Sequence, residues 1–351
     1  MKLTSKLNTH ILFEDTMITS NREVGADSLK DEFLIHITPE SCYADIDEMP
    51  DSVDHRSRSK HYIKASGRHE INQVNEANYF VGTKVPYHEH KTAYETFLVE
   101  KGAIEVWTRS RKAVARKGEL IHIQPYVPHS IQPVEDDSTI RAYHQGHSLL
   151  EDQIDNHRFR DTYPELAKLP DFRQQIAPRE QTSFWFDYEV PLFKDIPVSE
   201  FPEIRTFDEA LAEFTFDKLK LKLKVGRWET GGVKEVWQLH MEAGCSFSWV
   251  PTNIFNLLYD VYDGSVEVRP DGMDPFIANS RDMIHVPRYL GGSIRALKDT
   301  VLFDVGCQGY MMQYLDEVNA IKASAPEKLQ DDEYLRKLMK KYDFYVRFQL
   351  C

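Results

Sequence analysis

Gly82-Thr-Lys-Val-Pro-Tyr-His-Glu-His-Lys-Thr-Ala-Tyr-Glu-Thr-Phe-Leu-Val-Glu-Lys-Gly102 is the most specific stretch of this chain. It holds His88, His90 and Glu95, and a further histidine closes Ile121-His-Ile-Gln-Pro-Tyr-Val-Pro-His129. On a β-strand, residues i and i+2 face one side of the sheet. His88 and His90 can therefore offer two imidazoles to one ion. Glu95 follows His90 by five residues, room for a short turn and the start of a second strand. Phe97, Val99, Ile104 and Val106 continue a strand pattern, broken at Lys101-Gly102 as a turn. His129 stands where an apolar strand runs out into a Pro-bounded turn.

Three imidazoles and one carboxylate suit a first-row transition metal, and Ca and Mg prefer shells made of oxygen alone. No cysteine is near in sequence, so a thiolate-rich structural zinc site is not expected. Four protein ligands leave coordination positions open for a substrate oxygen, water or dioxygen, which makes catalysis the natural use of the site. The expected cofactor is one divalent transition metal per chain: Fe, Mn, Ni, Zn or Cu.

The stretch resembles the first motif of the cupin superfamily, G-x5-HxH-x4-E-x6-G, at Gly82, His88, His90, Glu95 and Gly102 without a gap. Gly118 and His129 match the second motif, G-x5-PxG-x2-H-x3-N, at its spacing. There the chain departs from the pattern. Gln124 stands at the family's Pro, Tyr126 at its Gly and Pro133 at its Asn. The resemblance covers about residues 60–147 and implies an antiparallel β-barrel of jelly-roll type around the metal. Strand-like runs with little helical periodicity agree with it.

At 351 residues the chain is too long for one such barrel and suits two. Lys218–Val225 alternates charged and apolar residues, a strand with one wet face. Leu257–Val268 echoes Glu95–Val106 around Gly264, and Ile284–Gly292 echoes Ile121–His129. Aligned on these echoes, Val250, Thr252, Leu257 and Gly292 fall opposite His88, His90, Glu95 and His129. The expected fold is all-β: two antiparallel jelly-roll (cupin) barrels, the second without metal ligands, with short linking helices and a C-terminal helix.

The expected divisions are an N-terminal extension (1–58) that adds a strand to a barrel edge, a metal-binding barrel (59–147), a helical linker (148–205), a degenerate barrel (206–320) and a C-terminal helix (321–351). Thr206-Phe-Asp-Glu209 reads as a capping box opening a helix through Phe214. Pro326 lies just inside the C-terminal helix, with Leu335, Leu338, Met339 and Tyr342 on one face.

The formal net charge of −13 argues against nucleic acid or an anionic membrane as partner. The one basic cluster, Arg109–Lys117, reads as a solvated hairpin. No secretory segment or bilayer-length apolar run occurs. Cys42, Cys245, Cys307 and Cys351 are unclustered and read as free thiols of a cytoplasmic protein. The expected partner is a small-molecule substrate, and the assembly a homo-oligomer.

The ligand set fits two enzyme classes. One is dioxygenation of a phenolic or enolic molecule, which the family resemblance includes and which an aromatic lining would favour. The other is non-redox isomerase or lyase chemistry on a sugar-like or keto-acid substrate, with a carboxylate moving the proton. A storage protein of seed-globulin type is a third class, disfavoured by the intact ligands. The first class is the leading expectation. Glu95 is the expected catalytic base as well as a ligand, and Tyr126, Tyr143, His144 and Phe97 are candidate substrate contacts.

Overall fold

The computed structural model describes residues 35–41, 44–48, 57–63, 72–83, 85–146, 162–169, 181–185, 193–252 and 257–348. Cys351, residues 1–34, 42–43 and 49–56 of the extension, residue 147, and residues 148–161, 170–180 and 186–192 of the linker lie outside these. The chain opens with β1 (His36–Ile37), β2 (Ala44–Glu48), β3 (Ser57–Ile63) and β4 (Asn72–Tyr79). Then come β5 (Tyr87–His90), β6 (Glu95–Lys101), β7 (Ala103–Thr108), β8 (Arg111–Arg116), β9 (Leu120–Ile123), β10 (His129–Pro133) and β11 (Ser138–Gln145). The connection holds α1 (Pro164–Ala167), β12 (Thr182–Trp185), β13 (Lys194–Asp195) and β14 (Ile204–Arg205).

The second half contains β15 (Ala212–Phe216), β16 (Leu219–Val225), β17 (Glu235–Met241), β18 (Ser246–Trp249), β19 (Leu257–Asp263) and β20 (Ser265–Pro270). It continues through β21 (Phe276–Asn279), β22 (Met283–Val286), β23 (Gly292–Ala296) and β24 (Thr300–Cys307). The chain closes with α2 (Met311–Ser324), α3 (Asp332–Lys341) and β25 (Val346–Phe348).

Four sheets form two sandwich-like barrels. In the first, β14-β9-β6-β11-β4-β3-β2 faces β12-β5-β10-β7-β8-β13; in the second, β1-β22-β19-β24-β17-β16-β15 faces β21-β20-β23-β18-β25. Alternation explains the two cores: Phe97 and Val99 of β6 point inward among Ile104, Val106, Ile121 and Ile140, while Leu98 points out. The inner face of the second barrel is filled by Leu221, Leu223, Trp237, Leu239, Tyr259 and Val261. The β6–β7 and β19–β20 hairpins repeat one detail. Gly102 (φ +73) and Gly264 (φ +107) sit so close to Ser138 and Thr300 that a Cβ would lie 2.4 and 2.3 Å from their hydroxyl oxygens.

The two barrels meet through the outer faces of their seven-stranded sheets. Leu98, Leu120 and Tyr143 pack with Leu258, Met283, Phe303 and Val305. Inside this contact Arg141 is fully buried and faces three carboxylates. Its Nη2 donates to Glu76 Oε2 at 3.1 Å, and its Nε lies 3.6 Å from Glu100 Oε1 and 3.9 Å from Asp260 Oδ2. Its guanidinium also stacks 4.2 Å from the Tyr62 ring.

Several expectations change. The N-terminal segment adds strands to both barrels: β1 pairs with β22 of the second, His36 opposite Ile284, and β2 pairs with β3 at the edge of the first. The described part of the linker carries three short strands besides α1, and β12, β13 and β14 all pair with the first barrel. Thr206–Glu209 starts no helix. The Thr206 N–H donates to Glu209 Oε2 at 2.7 Å, as a capping box would, but the chain then turns into β15. The carbonyls a helix would need are taken by a lysine: Lys224 Nζ donates to Thr206 O at 2.6 Å and Phe207 O at 3.3 Å. Phe214 and Phe216, two apart, enter the core as strand residues. The same turn covers the face of β16 expected to be wet, so Lys222 and Lys224 are buried, and burial pushes Lys224 down to about 8.

At the C-terminus two helices replace the single one, α2 starting at Met311. Leu335, Leu338 and Met339 of α3 are buried as expected. Pro326 begins a separate 3-10 turn over Pro326–Gln330. The chain then returns to pair β25 with β18. The basic Arg109–Lys117 run spans the β7–β8 hairpin. Cys245 and Cys307 are free and buried. Among the described residues no helix is long and apolar enough to cross a membrane.

The second barrel carries buried acids of its own. Glu235 accepts from Trp237 Nε1 at 2.8 Å, yet burial pushes its carboxyl from 4.5 up to about 7. Below pH 4.5 folded and unfolded chains both hold the proton. Between 4.5 and 7 the unfolded chain releases it first, so stability falls as pH rises through this window and levels off above it. The scale is on the order of 3 kcal/mol. Glu235→Gln removes this contribution: in thermal melts the variant gains on the wild type from pH 4.5 to 7. Parallel melting curves across that range would contradict the assignment.

Candidate metal centre

β5 delivers two imidazoles to the barrel interior from alternate positions, and the register places His129 of β10 directly across from His88. β6 begins at Glu95, paired with Ile123 of β9, so the carboxylate enters from the facing sheet. The ligand atoms of His88, His90, Glu95 and His129 all lie within 4.8 Å of one another, and all four residues are buried. Donors about 2 Å from a shared ion stand about 3 to 4 Å apart, so small rotations close the shell. Among the described residues this is the one cluster of that kind.

The outer nitrogens of the rings are anchored. His88 Nδ1 lies 2.7 Å from Pro86 O, and His129 Nδ1 lies 2.8 Å from Val127 O. A carbonyl can only accept, so both Nδ1 atoms carry the hydrogen and both Nε2 atoms present lone pairs inward. His90 Nδ1 is 3.0 Å from Thr182 Oγ1. Glu95 Oε2 lies 2.7 Å from His129 Nε2, and Oε1 lies 3.5 Å from His90 Nε2.

Burial alone would raise the Glu95 carboxyl; His90 and His129 beside it hold it well below the usual carboxylate range. Burial also lowers His88 well below the usual imidazole value. His88 thus offers a neutral nitrogen and Glu95 an anionic oxygen, the forms that bind a cation. His90 Nε2 is buried without a hydrogen-bond partner. Such an orphan is costly in an apolar barrel and is satisfied by a metal ion. The cluster fits a divalent transition metal.

The candidate substrate contacts divide. His144 is buried with Nδ1 3.6 Å from Glu95 Oε1, and Phe97 meets its ring edge-on at 5.6 Å. Burial lowers His144 to about 4, so it is neutral. Tyr143, the next residue on β11, points the other way. Its hydroxyl donates to Asp260 of the second barrel, so it belongs to the contact between barrels and not to the metal cavity. Tyr126 is 65% exposed and adopts φ 61, the left-handed region that explains the family's glycine at this position.

Other aromatic residues near the motif in sequence pack away from the ligands. Tyr87 packs on Trp185 and Phe193 on the side of β5 opposite His88, and Trp107 packs on Phe193. His122 is a satisfied structural histidine, with Nδ1 2.9 Å from Thr96 Oγ1 and Nε2 3.1 Å from Glu229 O.

Two residues at the site were not foreseen: Thr182, and Phe184, whose ring stacks on His88 at 5.7 Å. The β-prone run Thr182-Ser-Phe-Trp185 was the available signal. In the second barrel, Trp249 pairs with Gly292 as His88 pairs with His129, one residue from the expected Val250. Leu257 pairs with Val286 as Glu95 does with Ile123. Trp249 and Leu257 belong to the apolar core, so the second position is filled by packing.

A family model described as "Cupin domain" matches residues 76–143. Solved structures of similar fold include an oxalate decarboxylase variant from Bacillus subtilis, with TM-score 0.51, 13% identity, and coverage of 78% of this chain and 77% of that one. The oxalate decarboxylase formate complex from Lactobacillus farciminis gives TM-score 0.50 and 14% identity, covering 83% of this chain and 88% of that one. A Bacillus subtilis oxalate decarboxylase described by its Mn(II) centres gives 0.50 and 13%, over 78% and 77%. No curated protein matches in sequence.

Proposed function

We infer that this chain, a two-barrel cupin with its metal motif intact in the first barrel only, is a metal-dependent lyase acting on a small carboxylate or keto acid. The buried cluster of His88, His90, Glu95 and His129 around one point supports the metal-dependent part of the reading and fits either enzyme class, so the choice of a lyase rests on the neighbours of similar fold. Lyase chemistry is the reaction named for the solved bicupins of similar fold. The dioxygenase expectation rested partly on aromatic residues lining the cavity. Of those candidates Phe97 remains beside His144, and with Phe184 on His88 it gives two rings near the ligands, too few to favour a phenolic substrate over a small acid.

A divalent metal held by these four residues supplies Lewis acidity toward a carboxylate or carbonyl oxygen. The protein does the rest. The three imidazoles, fixed by their Nδ1 contacts, keep the donors pre-aimed. Glu95 is anionic and placed to take a proton from a bound acid. His144, neutral and 3.6 Å from Glu95 Oε1, is placed to hydrogen-bond substrate or to hold that proton. Phe97, the Ile121 side chain and the rest of the apolar core exclude water, which strengthens each polar contact inside.

A panel of small carboxylic and keto acids, assayed for carbon dioxide or alkene release with an oxygen electrode in place, tests the reading. Turnover without net consumption of dioxygen is expected. One dioxygen consumed per turnover would overturn the lyase assignment. Glu95→Gln should cut turnover about 100-fold or more, beyond any loss of metal, as expected for a lost general base. Turnover that falls only in step with metal content would remove the role of Glu95 as base.

A further inference from the structure

The metal-bearing sheet is completed at both edges by the segment that joins the barrels. β12 pairs with β5, and β13 pairs in parallel with β8. The β12 register sets Thr182 opposite His90 and Phe184 opposite His88, so one short strand touches two of the four ligand residues. Thr182 Oγ1 lies 3.0 Å from His90 Nδ1 in a buried position, and the Phe184 ring lies 5.7 Å from His88 at an interplanar angle of 29°. The strand's other face is anchored: Trp185 packs on Tyr87 at 6.0 Å, and Lys91 N donates to Gln181 O at 2.9 Å.

His88 and His129 find carbonyl partners within two residues of themselves, Pro86 O and Val127 O. Those anchors fold with their own loops. His90 has no such local partner, and its Nδ1 depends on a hydroxyl 92 residues away in sequence. An imidazole binds a cation through Nε2 only when Nδ1 holds the hydrogen, and that tautomer needs an acceptor. Thr182 Oγ1, 3.0 Å away, is placed to be that acceptor.

We propose that Thr182 is a positioning residue for the metal site: by accepting from His90 Nδ1 it fixes the ring and tautomer that bind the ion, so metal affinity and docking of the inter-barrel strand are linked. The proposal rests on the metal-site reading above and requires no particular reaction. By linkage, the ion stabilises the docked strand as much as the strand strengthens binding of the ion.

The test uses the full chain and Mn(II) or Zn(II), with affinity read by competition against a chromophoric chelator. Thr182→Val keeps the shape and removes the acceptor; it should weaken binding about 10- to 100-fold. Thr182→Ser restores the oxygen and should stay within about threefold of the wild type, the melting temperatures of the metal-free proteins being alike. Wild-type affinity in Thr182→Val overturns the proposal.

Hydrogen exchange of the wild type needs no variant. Amides of residues 182–185 should exchange several-fold more slowly in the metal-loaded protein, and equal exchange overturns the linkage. Loss of metal from His88→Ala beside unchanged binding in Thr182→Val would leave the metal site standing and remove this role alone. A wild type that binds no metal would instead overturn the metal-site reading.

Discussion

His129→Ala should purify without metal and without turnover, while remaining folded. His129 is 2% exposed, and its Nε2 points at Glu95 from across the strand pair that also presents His88. Removing it deletes one of four donors and leaves the Glu95 carboxylate with less compensation in a buried cavity. Metal content should fall below about a tenth of the wild-type value, since even outer partners of metal ligands cost 10- to 100-fold when lost. Turnover should fall with it, by about a thousandfold or more, because Lewis-acid activation and substrate binding disappear together. Elemental analysis and the acid panel read both quantities. A His129→Ala protein with full metal occupancy would contradict the ligand assignment.

Arg141→Ala should be the most destabilising single change outside the two cores. The guanidinium is fully buried between the barrels and faces Glu76, Glu100 and Asp260. Its removal leaves three buried acids with Arg281, half exposed, as the remaining cation; Arg281 Nη2 lies 2.5 Å from Glu76 Oε1. Deleting one partner of a buried charge group costs about 3 to 5 kcal/mol.

The pH dependence has a definite sign. Burial already pushes Glu100 up to about 7 while Arg141 opposes the shift. Without Arg141 the acids hold protons to higher pH in the folded state than in the unfolded chain. The deficit of the variant should therefore be largest above pH 7 and shrink toward pH 5, where protonation removes the unpaired charge. Urea titrations at pH 5, 7 and 8 measure it. A deficit under about 1 kcal/mol at pH 8, or one that grows toward acid, would contradict this account of the network.

Three of the metal ligands were legible because their spacing is local: a strand period joins His88 to His90, and a short turn separates them from Glu95, while His129, 34 residues further on, was legible through the second motif that it closes. The repeat was legible because glycine turns and apolar strands recur in the second barrel without the metal ligands, as Gly102 and Gly264 show. What escaped the sequence depends on distant partners. Whether Thr206–Glu209 forms a helix is decided by Lys224, which takes its carbonyls from 18 residues away. Whether Tyr143 faces the cavity is decided by strand alternation and by an acid in the other barrel, Asp260. Thr182 carries no motif, and its role exists because the connecting segment doubles back as an edge strand. Tyr126 stood out by its departure from the family pattern, and its left-handed backbone shows what the pattern was for.

The most direct test of the central claim is an anomalous difference map from crystals of the metal-loaded chain, collected at the absorption edge of the bound ion. The account predicts one strong peak per chain, among His88 Nε2, His90 Nε2, His129 Nε2 and the Glu95 carboxylate. A map with no peak there, or with a peak in the second barrel beside Trp249 and Leu257, would contradict it.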